Sequence, residues 1–503
     1  MSEDLRAPSR TLPGIPAQRS RPYWAEPDPI DELAAELQEF VSAAVHPDEI
    51  AALLESDGLS DDRIRERYGV PDSFALAEEL YGRTPRRHPE PDGEPLDPWR
   101  AGLPGCLLRG LVFALPGLAH VLGAPLLAGP HDAAGLPAGT RTLLAGALCG
   151  WAWNQGLAHR AYSWLGLGDR EAARRCLLAG APAGMLLGTL VALAVAGTGH
   201  PAAVAFAAGQ SCYLGASGAL LVMGRERALL AALAPMTAGA VVSLLHPLPE
   251  PARLTLLLTS LTAVATLGVL EVAPAVGAPK RRGAVSIHAA PPRGPDRPRR
   301  RRSRPKATGP RFIGSLPYAV FGLATGTLVV NAVLGDVLAG AEHSAVAASA
   351  AVALTLSMGP AEWLLYRFRS GSLAALRAVG TPRAFRRAAA RTLARCLTGY
   401  LAALLALALA ATALWPHAPA PAGLRPAALL ALGTVLWTGL LLQSFGAVLG
   451  AAAVCCAAAL AQSLALLTHA GAPHTVALAV YAGAALAQAA LVHGLLGRVS
   501  AHR

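Results

Sequence analysis

The chain has 503 residues, of which 53% are hydrophobic and only 15% charged, and its formal net charge is +11. A mean hydropathy of +0.41 with so little charge excludes an ordinary soluble enzyme and fits a polytopic membrane protein built from Ala, Leu, Val and Gly, small side chains that let helices approach closely in lipid. The positive charge does not point to nucleic acid, because the arginines fall in loops between apolar stretches, where they act as orientation signals.

Residues 1–25, rich in Pro, Arg and Ser, are expected to lack structure, and no apolar stretch precedes about residue 101, so no cleavable signal peptide is expected. Residues 1–99 are therefore assigned to the cytoplasm as an acidic helical module with a disordered start. Within it DPIDELAAELQEFVSAAV, HPDEIAALLESDG, LSDDRIRERYG and PDSFALAEELYG predict four short helices, with a turn at Asp57-Gly58, a cap at Ser60 and a stop at Gly69. Ile50 to Tyr81 has the outline of a helix-turn-helix. Between Ala25 and Gly82, however, sixteen Asp or Glu face three Arg, which would repel phosphate, so the module is read as a protein-contact surface and not a nucleic-acid one.

Apolar segments long enough to span a bilayer follow at about 110–129, 141–159, 176–197, 201–223, 228–247 and 254–275, and again at about 312–335, 344–366, 393–415, 426–443, 445–467 and 474–496. The expected fold is all-α: about 12 transmembrane helices in two six-helix bundles, residues 100–276 and 312–503, joined by a basic, Pro-rich cytoplasmic linker at 277–311. The stretch 426–467, where two segments meet at Gln443 to Gly446 with almost no loop, reads either as two spans or as a re-entrant element.

Orientation follows from charge. Loops placed inside hold Arg160, Arg170, Arg174 and Arg175, then Arg225 and Arg227, twelve Lys or Arg in the linker, and eight Arg from Arg367 to Arg395; those outside hold Arg141, Arg253 and Arg425. The asymmetry predicts a multi-pass protein of the cytoplasmic membrane with both termini inside.

Each half carries its longest basic inside loop after its second span, beginning at Arg160, 54 residues past Cys106, and at Arg367, 55 residues past Phe312. Near-equal offsets suggest a duplicated six-helix unit related by an axis along the membrane normal. Both loops read as short amphipathic helices, LGLGDREAARR capped by Asp169 and TPRAFRRAAARTLAR capped by Thr381 with Pro382 in the first turn. Arg383, Arg387, Arg391 and Arg395 recur every four residues as one basic stripe, serving as a topology anchor or facing anionic headgroups of the membrane lipid.

The stretch AHRAYSWLGLGDREAARRCLLAG, Ala158 to Gly180, resembles the loop between spans two and three of the multidrug/oligosaccharidyl-lipid/polysaccharide exporter superfamily, where a pattern close to LGxGDxxxARR follows the second span. YRFRSGSLAALRAVG, Tyr366 to Gly380, is most similar to the Pel-type exopolysaccharide exporters and the lipid-linked oligosaccharide flippases. The resemblance implies two bundles rocking about a central cavity, with cavity cations holding a lipid pyrophosphate; Arg109 and Arg160 are the arginines near the cytoplasmic ends of the first two spans that could do so. The major facilitator superfamily shares the two sixes and the basic middle loop, and Gly168, Asp169 and Arg170 are similar to part of its loop after span two.

Polar groups within spans are functional candidates because burying them in lipid is costly. Trp153, Asn154 and Gln155 stand together in GWAWNQGLAHR. Two Trp and two carboxamides at one depth would suit a sugar, an aromatic face covering its apolar side and amides bonding its hydroxyls, or would form an interfacial belt with amide bonds between helices. Glu362, in SMGPAEWLLYRF, would pair with Arg367 or couple transport to protons. Glu271, Asn331 and Asp336 lie near span ends, where interfacial solvation suffices, and Gln210, Gln462 and Gln488 are expected to bond across helices. Seven Cys form no disulfide framework and no metal spacing. No nucleotide loop, HExxH or nucleophile elbow occurs, so no enzymatic activity and no cofactor are expected. The expected function is outward movement of a polysaccharide or lipid-linked glycan. Alternatives are small-molecule efflux and a non-transporting scaffold whose N-terminal module recruits a cytoplasmic glycosyltransferase.

Overall fold

The computed structural model describes residues 28–85, 97, 99, 102–128, 136–197, 199–277, 309–338, 344–414 and 423–496. Residues 1–25, expected to lack structure, and nearly all of the basic linker lie outside the described residues. Every regular element among the described residues is helical, and the chain divides into two compact units, residues 1–96 and 97–503.

The first unit holds α1 (Pro29–Glu36), α2 (Gln38–Ala43), α3 (Pro47–Ser56), α4 (Asp61–Tyr68) and α5 (Ser73–Arg83). Five helices replace the predicted four because the first segment turns at Leu37, which aims Ile30 and Leu33 of α1 and Val41 of α2 into one core with Ile50, Leu54, Ile64, Leu76 and Leu80. Asp28 caps α1 by accepting the Ile30 N–H at 3.0 Å, and Asp72 caps α5 by accepting that of Ala75 at 2.8 Å. Ser60 stands at the start of α4 without a side-chain cap bond, while Gly58 and Gly69 take the left-handed conformation that ends α3 and α4. Arg83 closes the bundle, its guanidinium donating to Asp28 at 2.6 Å, Asp31 at 3.0 Å and Glu79 at 3.2 Å. The hydrogen bond to Asp28, with those to Asp31 and Glu79, holds Arg83 above the usual arginine range.

The second unit begins with α6 (Leu103–Ala114), a 3-10 turn (Leu115–Leu118) and α7 (Ala119–Leu127). Then come α8 (Ala138–Gly166), α9 (Arg170–Ala196), α10 (Pro201–Val222), α11 (Glu226–Leu245), α12 (Glu250–Val272) and a single turn, α13 (Pro274–Gly277). The second half holds α14 (Leu316–Leu338), α15 (Ser344–Leu356), α16 (Met358–Ala378), α17 (Pro382–Leu414), α18 (Arg425–Ser444), α19 (Val448–Leu467) and α20 (Pro473–Leu496). Among the described residues nine helices are long and apolar enough to cross a membrane: α6 with α7, α9, α10, α12 with α13, α14, α17, α18, α19 and α20. Such a set marks a multi-pass membrane protein.

Three expected spans are not among these nine: α8, which carries Trp, Asn, Gln, His and Arg along its length, α11, and the segment 344–366, which is two helices broken at Ser357, whose hydroxyl donates to the Leu354 carbonyl at 2.8 Å. α18 and α19 are separate helices of span length joined by Phe445, Gly446 and Ala447, Gly446 being left-handed.

The two basic loops are not independent short helices. α9 starts at Arg170 and α17 at Pro382, each running straight into its span, because no Gly or Pro occurs between Arg170 and Ala179 or between Arg383 and Thr398. Asp169 accepts the Ala172 N–H at 2.8 Å and Thr381 that of Ala384 at 3.3 Å, so both caps form as the sequence indicates.

In the first half α8 packs on α9 and α10, α10 on α12, and α11 on α12 and α7. Gly180, Gly184 and Gly188 line one face of α9: a β-carbon on Gly184 would stand 2.3 Å from Trp153, and one on Gly188 would stand 2.5 Å from the Ser211 hydroxyl. In the second half α14 packs on α19, α18 and α19 on α20, and α17 on α16 and α18, around buried Tyr400, Leu404, Leu432 and Trp437. The halves meet where α8 lies on α14 and where α6 lies on α15 and α16.

Candidate functional site

Helix α6 can approach α16 because both present glycine at the crossing. A β-carbon on Gly110 would lie 2.6 Å from the Gly359 nitrogen and 2.7 Å from its Cα, distances that no side chain permits. This contact fixes the neighbouring residues one helical turn away or less. Arg109 of α6 donates to Glu362 of α16, and its Nε reaches Glu226, the first residue of α11, at 3.2 Å. Tyr366, one turn beyond Glu362, places its phenol beside both charged groups.

The cluster joins three helices from both halves of the unit. Its side chains retain 37% exposure at Arg109, 22% at Glu226 and 23% at Glu362, so water still reaches them. One guanidinium between two carboxylates leaves an uncompensated negative charge when both are ionised, and gain of one proton would neutralise it. Separating α6 from α16 would expose Glu362 and Arg109 to solvent instead of to each other, an exchange of ion pair for hydration that costs little at partly wet sites.

Just beyond, Arg369 is held between the rings of Trp99, 3.8 Å from its centroid, and Phe445, at 4.7 Å, and donates to the Ser444 carbonyl at 3.0 Å. Ser370 donates to Asp97. The end of α16 is thus tied both to the chain just before α6 and to the turn between α18 and α19.

Of the residues the sequence singles out, Arg109 and Glu362 are brought together. Arg367, the other partner considered for Glu362, instead stacks over Trp363 at 5.0 Å. The second-span trio points three ways. Trp153 donates to the Gly180 carbonyl of α9 at 2.8 Å; Asn154 donates back to Gly150 at 2.9 Å, with its oxygen beside Gly218 of α10; Gln155 lies against Gly322 of α14. Arg160 lies over the Phe312 ring at 5.6 Å. One cavity in the second half is lined by Asn331, Gln462, Thr412 and Tyr481, and another in the first half by Phe206, Gln210, Tyr213 and Ser260; none of the trio lines either.

Glu226 escaped the sequence reading because it stands between Arg225 and Arg227, where it looks like an ordinary loop charge. Glu271 was expected to need only interfacial solvation and is instead buried, with Arg174 at 3.0 Å, Arg225 at 2.8 Å and Arg170 at 3.6 Å. The four-residue spacing of Arg170 and Arg174, with a carboxylate one hundred residues on, carried no sequence signal for that meeting. Asn331, also expected to need only interfacial solvation, is buried and donates to Ser463 at 3.0 Å, whereas Gln488 joins Thr438 to Cys455 across helices as expected.

Compared with known proteins, the chain matches no family model, no curated protein and no solved structure.

Proposed function

We propose that the protein is a membrane exporter or flippase that moves a glycan or lipid-linked glycan outward by rocking two six-helix halves, with the Arg109–Glu226–Glu362 cluster as the lock between them. The observation that carries this reading is that cluster: a partly hydrated ion pair across a glycine-only helix crossing is a contact that can open without leaving a stranded charge. The pattern of packing supports the duplicated arrangement. The first span of one half (α6) meets the second of the other (α15 and α16), and the second span of the first half (α8) meets the first of the other (α14), which is what a two-fold axis along the membrane normal requires. On this reading α8, α11 and the α15–α16 pair are also spans, making twelve, their polar groups facing protein and not lipid.

The glycan class rests on the likeness of Ala158–Gly180 and Tyr366–Gly380 to polysaccharide exporters. The first unit supports the accompanying role of a cytoplasmic docking module for a glycosyltransferase, since Phe40 and Phe74 stand exposed in an acidic surface. The test is export of surface glycan in cells carrying Arg109→Gln or Glu362→Gln, with membrane abundance measured in parallel. Loss of export at normal abundance is expected from both; normal export in the double variant would remove the lock and leave a scaffold.

A further inference from the structure

We propose that the exposed arginine face of α17 is a binding surface for the phosphates of anionic lipid headgroups, and that the equivalent basic segment of the first half is not. α17 has 33 residues, which at about 1.5 Å per residue makes roughly 50 Å of helix. A hydrocarbon core of about 30 Å uses some twenty of them. With its apolar end, Cys396–Leu414, in the core, the preceding segment Pro382–Arg395, which carries the arginines, stands at the level of the headgroups.

In that segment Phe385, Ala389 and Cys396 are buried, and Thr392 packs on Gly371 of α16. Arg383, Arg386, Arg387, Arg391 and Arg395 are exposed on the opposite side. The arginines are thus turned away from protein by the same helical periodicity that buries the apolar face.

What they could pair with inside the chain is limited by composition. No Asp or Glu occurs after Glu362, so the 141 residues that follow hold no acidic side chain, and Glu362 itself is taken by Arg109. None of the five arginines has an ion-pair partner among the described residues. The first half is built differently: Arg170, Arg174 and Arg225 converge on buried Glu271, and Arg174 also binds Glu171 at 3.1 Å. There three of the cations hold α9, α12 and the start of α11 together. In the second half no acidic side chain after Glu362 offers such a counter-charge, and at headgroup depth the abundant anion is lipid phosphate, which guanidinium binds through paired N–H donors.

The experiment uses the full chain, purified in a mild detergent and equilibrated with equimolar phosphatidylglycerol and phosphatidylcholine, with retained lipids counted by native mass spectrometry. Wild-type protein should retain phosphatidylglycerol in excess. Replacing Arg383, Arg387, Arg391 and Arg395 by Gln should lower the phosphatidylglycerol-to-phosphatidylcholine ratio about tenfold, whereas Lys at the same four positions should largely keep it. Replacing Arg299, Arg300, Arg301 and Arg302 of the linker by Gln removes the same charge elsewhere and should leave the ratio unchanged. An unchanged ratio in the α17 Gln variant, an equal fall in the linker variant, or displacement of the lipid by millimolar inorganic phosphate would each overturn the proposal.

Discussion

Arg109 illustrates how much a single residue's neighbours decide. In the sequence it is one cation at the start of an apolar run, where snorkelling to the surface would explain it; in the structure it is held by Glu226 and Glu362 from helices 117 and 253 residues away. Separations of that size leave no periodic trace, which is why Glu362 was legible as an isolated intramembrane carboxylate but its partner was not. Glu271 has a firmer structural role, because its side chain is only 8% exposed and takes three arginines. Removing one member of a buried ion network costs about 3–5 kcal/mol when the partners cannot rehydrate. Arg225 is more than half exposed, so the lower end applies. Glu271→Ala should lower the thermal midpoint of the detergent-solubilised protein by several degrees, while Arg253→Ala should leave it unchanged; equal midpoints would show that the network adds nothing. In the first unit, Arg83→Ala cuts three partly exposed ion pairs at once and should destabilise the isolated residues 26–85 by about 1 kcal/mol, measured by urea unfolding.

At the scale of elements, hydropathy located a helix at each expected span, because about twenty apolar residues are a strong signal. It missed the break at Ser357 and the continuity of the basic loops with α9 and α17. The break leaves the apolar pattern uninterrupted on both sides, and a charged first turn looks like a loop when read by hydropathy alone. Helix contacts were legible only in kind. Abundant small residues predict close approach, but which glycines meet depends on crossings that lie far apart in sequence. Gly110 and Gly359 show the consequence. Gly110→Leu must push α6 off α16, and overpacking of this kind costs about 1–3 kcal/mol. With the other six cysteines replaced, Cys106, one turn before Gly110 and buried, should react faster with a membrane-permeant maleimide in Gly110→Leu than in the otherwise identical parent. An unchanged rate would mean that the crossing does not hold the two helices together. Gly184→Leu, which would collide with Trp153, serves as the comparison within one half: it should lower thermal stability without raising the reactivity of Cys106.

For the whole molecule, the interface between halves is where fold and proposed function meet. Two of its contacts are α6 on α16, secured by charge, and α8 on α14, where small residues such as Gly156 lie against Ala319. A β-carbon on Gly156 would lie 3.3 Å from that of Ala319, close to the separation of roughly 3.5–4.5 Å that a disulfide needs. Cysteines at both positions, in a chain otherwise free of cysteine and carrying a protease site in the 277–311 linker, should therefore form a bond on mild oxidation. After cleavage the two halves should migrate together without reductant and apart with it. If the halves must separate at this face for a glycan to pass, cells expressing the oxidised protein should lose surface glycan, and a membrane-permeant reductant should restore it within the time of one export cycle. Failure of the bond to form would contradict the packing of α8 on α14. A bond that forms quantitatively while export continues at the parental rate would contradict rocking at this interface, and would move the path of the glycan into one half, toward the cavity lined by Asn331, Gln462 and Tyr481.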